Sequence, residues 1–263
     1  MAWTRSSFRS EDDYLVRFTP EDRQAIVDAI RGLRGRGRLA VPIETLTKDE
    51  FAFGPLSAKL AAAYEDVRTG RGFTVMRRLP LDEALTLDEY GAAVWGIGLH
   101  FGGRMLSQNA SGELLTEVVD ATANDPTPRM YRSNVELRLH TDITDMLSLA
   151  CWHKAQSGRA LDLFDEVARM PEFRLDFDLE RGDMLVINNY TVMHARGGFV
   201  NNPEPERIRR FIRLWPAGEN FRKVPKEFEH FDGPGVPPQL GKSCTFDFKD
   251  LATSDPRAVG SVS

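Results

Sequence analysis

The chain has 263 residues, of which 41% are hydrophobic and 28% charged, with a formal net charge of -5. That composition belongs to a soluble globular protein with enough length for one sizeable core, and the acidic balance argues against nucleic acid or an anionic membrane surface as partner. No apolar run reaches membrane-spanning length, two cysteines, Cys151 and Cys244, make no disulfide framework, and residues 1–18 lack the apolar centre of a signal peptide, so the cytoplasm is the default compartment.

In chain order, residues 1–18 read as an irregular arm. Thr19, Pro20, Glu21 and Asp22 are a helix start, with a capping hydroxyl, proline at the first helical position and then acids. Ile26, Ile30 and Leu33 supply that helix's apolar face, and Gly32, Gly35 and Gly37 end it. Residues 39–55 are mixed, with a short strand expected over Leu39 to Ile43. Ser57 to Arg68 is a second helix, stopped by Gly70 and Gly72. Phe73 to Arg78 is a strand by its aromatic and β-branched content. Thr86 and Glu89 resemble a capping box for a helix reaching about Leu99. Residues 101–130 read as loop-rich, with a turn at Asp125 to Pro128. Strands follow over 135–142 and 147–154, then a helix over Leu161 to Arg169. Arg174 to Leu179 alternates as a strand, and Glu180 to Asp183 is its turn. Asp183 to Asn188 and Ile208 to Trp215 are the last strands. Beyond Pro216 the composition turns to proline and glycine, the mark of a wrapping tail.

Chemistry concentrates in two places. Val135, Leu137 and Leu139 alternate as a strand running into His140 and Asp142, which then share a face because residues two apart do so on a strand. Farther on, the strand over 183–188 leads into His194. Two histidines and one carboxylate on one side of a metal leave three adjacent coordination positions open, the arrangement of non-haem Fe(II) oxygenases. The strand after His194 carries Arg207, Arg209, Arg210 and Arg213. Arg209 and Arg213 fall four apart on one face, and a guanidinium turned inward needs an anion, for which a carboxylate is the bidentate match. Alternation favours Arg209 over Arg210 as the inward member. His100, His153 and His230 read as packed or surface histidines and not as ligands. Asn134, Glu136, Gln108 and Asn109 are candidates for pocket lining, against the plainer reading that they bond to neighbouring strands.

With these residues in view, the sequence resembles the taurine dioxygenase/clavaminate synthase-like superfamily of Fe(II)/2-oxoglutarate-dependent oxygenases. The resemblance is carried by residues 70–78, by His140 and Asp142, by 182–196 with Gly182, Asp183, Asn188, Asn189 and His194, and by Arg209 to Trp215, in the family's order. It implies a mainly β fold with helical decoration, a double-stranded β-helix (jelly roll) with a cupin-like core and flanking helices. It implies Fe(II) held by His140, Asp142 and His194, 2-oxoglutarate as cosubstrate and O2 as oxidant. Arg209 matches the residue that pairs with the far carboxylate of 2-oxoglutarate. Arg213 matches a position that faces the substrate or assists the cosubstrate, the plain alternative being a surface salt bridge. The expected substrate is a small polar molecule, carboxylated or amino-acid-like, and Asp142 argues for hydroxylation or a related oxidation over halogenation. The rival is a noncatalytic or non-redox metal-binding jelly-roll protein without cosubstrate binding. A homo-oligomer is compatible with the sequence.

The expected organisation is one domain over 1–263, with a helical flank at 19–100, a jelly-roll core at 130–215 and a C-terminal wrap at 216–263. One departure from the family stands out. After the turn Ala155 to Gly158 the helix over 161–169 follows at once. Between Asp142 and His194 such a roll needs roughly six strands of about 5–6 residues with connections of about 4–6, together about 50–65 residues, and only three strand-like runs are found. Either a segment near Gly158 and Arg159 is absent from this sequence or the protein does without those strands. The first is favoured, because lost core strands leave unpaired edges. It predicts that the Cα atoms of Gly158 and Arg159 lie farther apart than the ~3.8 Å of a trans peptide.

Overall fold

The computed structural model describes residues 3–81, 85–109, 112–120, 134, 137–153, 156–157, 170–202, 204, 208–218 and 221. The junction of Gly158 and Arg159, the helix expected over 161–169, the turn at 125–128, Cys244, His230 and most of the expected wrap lie outside them.

Three helices form close to the expected places, two of them at capping signals. Helix α1 (Pro20–Gly35) opens on a reciprocal box in which the Asp22 N–H donates to Thr19 Oγ1 at 3.2 Å and the Thr19 N–H donates to Asp22 Oδ2 at 2.9 Å, so two otherwise orphaned donors are satisfied. Helix α2 (Pro55–Thr69) also starts on proline, and α3 (Leu87–Gly102) repeats the box with Thr86 and Glu89. Ile26, Ile30, Leu33, Leu56, Leu60 and Val67 turn their apolar face inward, fully buried.

The main sheet has six strands in the order β1 (Leu15–Arg17), β2 (Phe73–Arg77), β8 (Met184–Asn188), β6 (Met146–His153), β11 (Arg210–Leu214) and β4 (Leu115–Val119). All neighbours are antiparallel except β1 and β2. Three short antiparallel pairs complete the described strands: β3 (Arg104–Met105) with β12 (Pro216–Ala217), β5 (Leu137–His140) with β9 (His194–Arg196), and β7 (Gln156–Ser157) with β10 (Phe199–Val200).

Both faces of the main sheet are covered. Met76, Met146, Met184, Val186, Ile212 and Leu214 pack with the helices on one side. Phe73, Val75, Leu147, Leu185, Ile187 and Trp215 pack with Tyr14 and Leu106 on the other. Strand β8 is therefore buried along its whole length, which explains why its sequence is continuously apolar instead of alternating. The architecture is the expected mainly β jelly roll with flanking helices, and no helix among the described residues is long and apolar enough to cross a membrane.

Several local expectations fail for physical reasons. The arm at 1–18 is not irregular throughout. It supplies edge strand β1, and Trp3, Phe8 and Tyr14 pack tilted or edge-on against Phe73 at ring separations of 5.4–5.8 Å. The strand expected at Leu39 to Ile43 is instead two 3-10 turns, Arg38–Ala40 and Ile43–Thr45, because Pro42 removes a ladder donor. The loop-rich region contains β4, which pairs with β11 along five residues. Residues 174–179 pair with no described strand, although Leu175, Phe177 and Leu179 do pack on the core. Their alternation recorded one-sided burial and not ladder membership.

Candidate metal centre and anion site

Strands β5 and β9 place His140 directly opposite His194, with a register shift between Leu137 and His140. Such bulges re-aim side chains and recur beside active sites. The two imidazole centroids are 4.1 Å apart. Asp142 lies just past the end of β5, in the bend leading to β6, so strand alternation alone does not position it. Its Oδ2 is nevertheless 3.9 Å from His194 Nε2, and one ligand atom from each of the three side chains falls within 4.8 Å of the others. Among the described residues this is the one cluster with metal-ligand chemistry and spacing.

The surroundings suit a divalent cation. Burial, then the neighbouring His140 and Arg213, depress the His194 pKa to about 3, so the ring is neutral at ordinary pH, the form that ligates metals. His194 Nδ1 is buried without a hydrogen-bond partner, an arrangement costly in a protein unless something supplies the missing contact. Two imidazoles and one carboxylate are the donor set expected for non-haem iron.

Residues outside the triad hold it in shape. The turn between β8 and β9 is built by Asn188, whose carbonyl accepts from the Thr191 and Val192 N–H groups and whose Oδ1 accepts from the Tyr190 N–H at 2.9 Å. Gly72 cradles this turn at φ 83°, where a Cβ would meet Thr191 Oγ1, so the backbone there requires glycine. Asn189 then ties the two ligand-bearing segments together. Its Oδ1 accepts from the Asp142 N–H at 3.2 Å, its Nδ2 donates to Thr144 O at 3.0 Å, and its own N–H donates to Asp145 O at 3.0 Å. Trp215 Nε1 donates to Asp142 Oδ2 at 3.3 Å, fixing the orientation of the carboxylate itself.

The arginines separate by environment. Arg210 faces Glu117, Nε to Oε2 3.4 Å. Arg209, one residue before β11, has no carboxylate partner among the described residues. Its Cζ sits 4.1 Å from the Phe211 ring centroid and 4.9 Å from that of Phe199. Burial, and then the nearby Arg196, lower its pKa to about 10. Arg196, two residues beyond His194, stacks on Phe199 at 5.0 Å. Arg213 is buried, its Cζ lies 5.3 Å from the Trp215 ring, and its Nε donates to Gln108 Oε1 at 2.6 Å. The surface salt-bridge alternative for Arg213 is therefore set aside.

His100 is no ligand: its Nε2 lies 3.2 Å from Phe51 O and its ring stacks on Phe53. Asn109 bonds locally to Glu113. The approach of His140, Asp142 and His194 to one another was legible from residue type and strand spacing, whereas the parts assigned to Arg209 and Arg213 come from the resemblance. Asn189, Trp215 and Gln108 were not given their roles, although the doubled asparagine at the end of an apolar strand was a usable sign, since two adjacent amides there must bond to something.

Comparison with known proteins agrees with this geometry. Residues 148–215 match the model of the family described as taurine catabolism dioxygenase TauD, TfdA family. The chain is 21% identical over 319 residues to FR-33289 synthase of Streptomyces rubellomurinus (strain ATCC 31215), covering 85% of this chain and 91% of that protein. That alignment is longer than the 263-residue chain, so the relative has stretches without counterpart here. In fold it is similar to the non-heme iron oxygenase OrfP in complex with Fe and alpha-ketoglutaric acid, with a TM-score of 0.57, 14% identity, and coverage of 78% of this chain and 94% of that one. It is also similar to asparagine oxygenase (AsnO), with a TM-score of 0.54, 16% identity, and coverage of 87% and 100%. The chain thus resembles the TauD/clavaminate synthase-like superfamily, in sequence across β6 to Trp215 and in fold over most of its length.

Proposed function

We propose that this protein is an Fe(II)- and 2-oxoglutarate-dependent dioxygenase acting on a small, polar, amino-acid-like molecule. The observation that carries the reading is the convergence of His140, Asp142 and His194, with Arg209 half-buried over Phe199 and Phe211 and lacking a carboxylate partner among the described residues. His140, Asp142 and His194 hold the metal. Arg209 takes the far carboxylate of 2-oxoglutarate, and Arg213 stands toward the metal end of the same site. Iron(II), bound there with 2-oxoglutarate and O2, supplies the oxidising chemistry, with succinate and CO2 as the products of the oxo acid.

The chain's own part is orientation and exclusion of water. Phe199 and Phe211 cover the Arg209 guanidinium, and a charge shielded from water attracts a carboxylate more strongly than an exposed one. The planar fork also dictates the angle at which the diacid enters. Asp142, held through its backbone by Asn189 and through its carboxylate by Trp215, presents a fixed oxygen to the metal, since such outer partners orient ligands. An amino-acid-like substrate is supported by the relatives: one solved OrfP structure contains Fe and L-homoarginine, and one of asparagine oxygenase contains Fe(II), 2S,3S-3-hydroxyasparagine and succinate.

The test is succinate release from 2-oxoglutarate under O2 with Fe(II), across a panel including L-arginine, L-homoarginine and L-asparagine. The reading expects succinate above the level given by His140→Ala, raised further by the true substrate. Succinate no higher than in that variant under every condition overturns it and leaves the non-redox metal-binding rival.

A further inference from the structure

Gln108 sits in the loop between β3 and β4, only 2% exposed. Its side-chain amide is fully used. Oε1 accepts from Arg213 Nε at 2.6 Å and from Thr116 Oγ1 at 2.8 Å. Nε2 donates to Leu114 O at 2.8 Å and to Arg213 O at 2.9 Å. Two donors and two acceptor sites are all that an amide of this kind offers, so Gln108 has nothing left with which to touch a ligand. The orientation of the amide is also forced. An arginine Nε–H is only a donor, and the two carbonyls are only acceptors, so exchanging O and N would break three of the four bonds.

The clamp reaches the metal centre through two more side chains. Arg213, gripped at its Nε, stacks on Trp215 at 5.3 Å, and Trp215 Nε1 donates to Asp142 Oδ2. Arg209 lies just ahead of β11 and Arg213 within it; Arg213 is the one beside the triad, because its charge acts on His194 and it stacks on the tryptophan that holds Asp142.

We propose that Gln108 is a positioning residue for cosubstrate binding: it fixes the Arg213 guanidinium in one plane against Trp215 before 2-oxoglutarate arrives. A cation already held in its bound orientation loses little freedom on binding, and buried supporting contacts are what hold such a group still. This rests on the oxygenase reading of the site.

The experiment titrates 2-oxoglutarate into the anaerobic Fe(II)-loaded protein, following the weak visible charge-transfer band, for wild type, Gln108→Leu, Arg213→Met and the double variant. Thermal unfolding and Fe(II) affinity are measured alongside. Gln108→Leu should weaken 2-oxoglutarate binding at least tenfold with Fe(II) affinity within twofold of wild type. The double variant should bind within twofold of Arg213→Met alone, because the two residues act as one unit. If Gln108→Leu does not fold, Gln108→Asn decides: it keeps an amide but is one methylene too short to hold Arg213 Nε, and must also bind 2-oxoglutarate at least tenfold more weakly. Wild-type affinity in a folded Gln108 variant, or losses that multiply in the double variant, overturns the proposal. A wild-type protein that shows no band fails the oxygenase reading itself, a different outcome.

Discussion

The hydrogen bond from Trp215 to Asp142 offers the most direct way to separate ligand identity from ligand orientation. In Trp215→Phe the ring face under Arg213 survives and the N–H is lost. Trp215 Nε1 donates to Asp142 Oδ2 at 3.3 Å. Hydrogen bonds to charged groups contribute about 1.5–3 kcal/mol, and at this length the lower end applies. About 1.4 kcal/mol is a factor of ten in a binding constant, so Fe(II) affinity should fall roughly tenfold, inside the range of about 10–100-fold found for partners that orient metal ligands. Trp215 is 5% exposed, so the smaller ring also lowers stability, by about 1–2 kcal/mol on the usual scale of buried substitutions. Thermal unfolding of the metal-free variant measures that cost. Competition between the folded variant and a chelator, with Co(II) as a spectroscopic stand-in, measures the metal term. The reasoning is refuted if a folded Trp215→Phe binds the metal within twofold of wild type.

Three further outcomes follow from the same geometry. Arg209→Met should lose 2-oxoglutarate binding by about thirtyfold or more, since truncating one side of a buried charge pair costs about 2–5 kcal/mol, while Fe(II) affinity stays; Arg209→Lys should recover only part, a point charge being a poor copy of a planar fork. Calorimetric titration of each loaded variant reads both. Asn189→Ala removes the acceptor for the Asp142 N–H and the donor to Thr144 O, so unfolding should become easier by about 1–3 kcal/mol and metal binding should weaken, checked by denaturation with and without Co(II). Away from the site, Arg38 first and the Thr47 N–H second depress the Glu50 carboxyl from 4.5 to about 2. A carboxylate with a lowered folded pKa stabilises fully above its unfolded value and loses that effect as pH falls through the folded one. Glu50→Gln should therefore melt lower than wild type at pH 7, with the gap shrinking below pH 4.5 and closing near pH 2.

How far the sequence could be read depended on whether a residue's partner was local. The capping hydroxyl at Thr19 and the capping box at Thr86 involve residues three apart and form as expected, and Asp22 closes a box at Thr19 as well. His140, Asp142 and His194 were recognisable from residue type and strand context, and β5 and β9 bring them together, although Asp142 owes its place to a bend and to Asn189 instead of strand alternation. Preference for Arg209 over Arg210 is consistent with Glu117 taking Arg210. What escaped was mostly nonlocal. Gln108 meets Arg213 across 105 positions and Trp215 meets Asp142 across 73, and no local spacing records such pairs. Strand β1 is three residues long and parallel to β2, too short to show a period. Strand β4 is only five residues long, between Gly112 and the turn-forming stretch before Pro126, and the clean alternation at 174–179 misled because packing on one face produces the same pattern as pairing in a sheet.

In the proposed function, three side chains and a half-buried guanidinium form one seat for iron and a diacid. Anaerobic addition of 2-oxoglutarate to the Fe(II)-loaded protein tests it most directly. The account expects the weak visible charge-transfer band in wild type, no band in His140→Ala or His194→Ala, and a band in Arg209→Met only at much higher 2-oxoglutarate. A wild-type protein that binds Fe(II) and shows no band at any concentration of the diacid contradicts it.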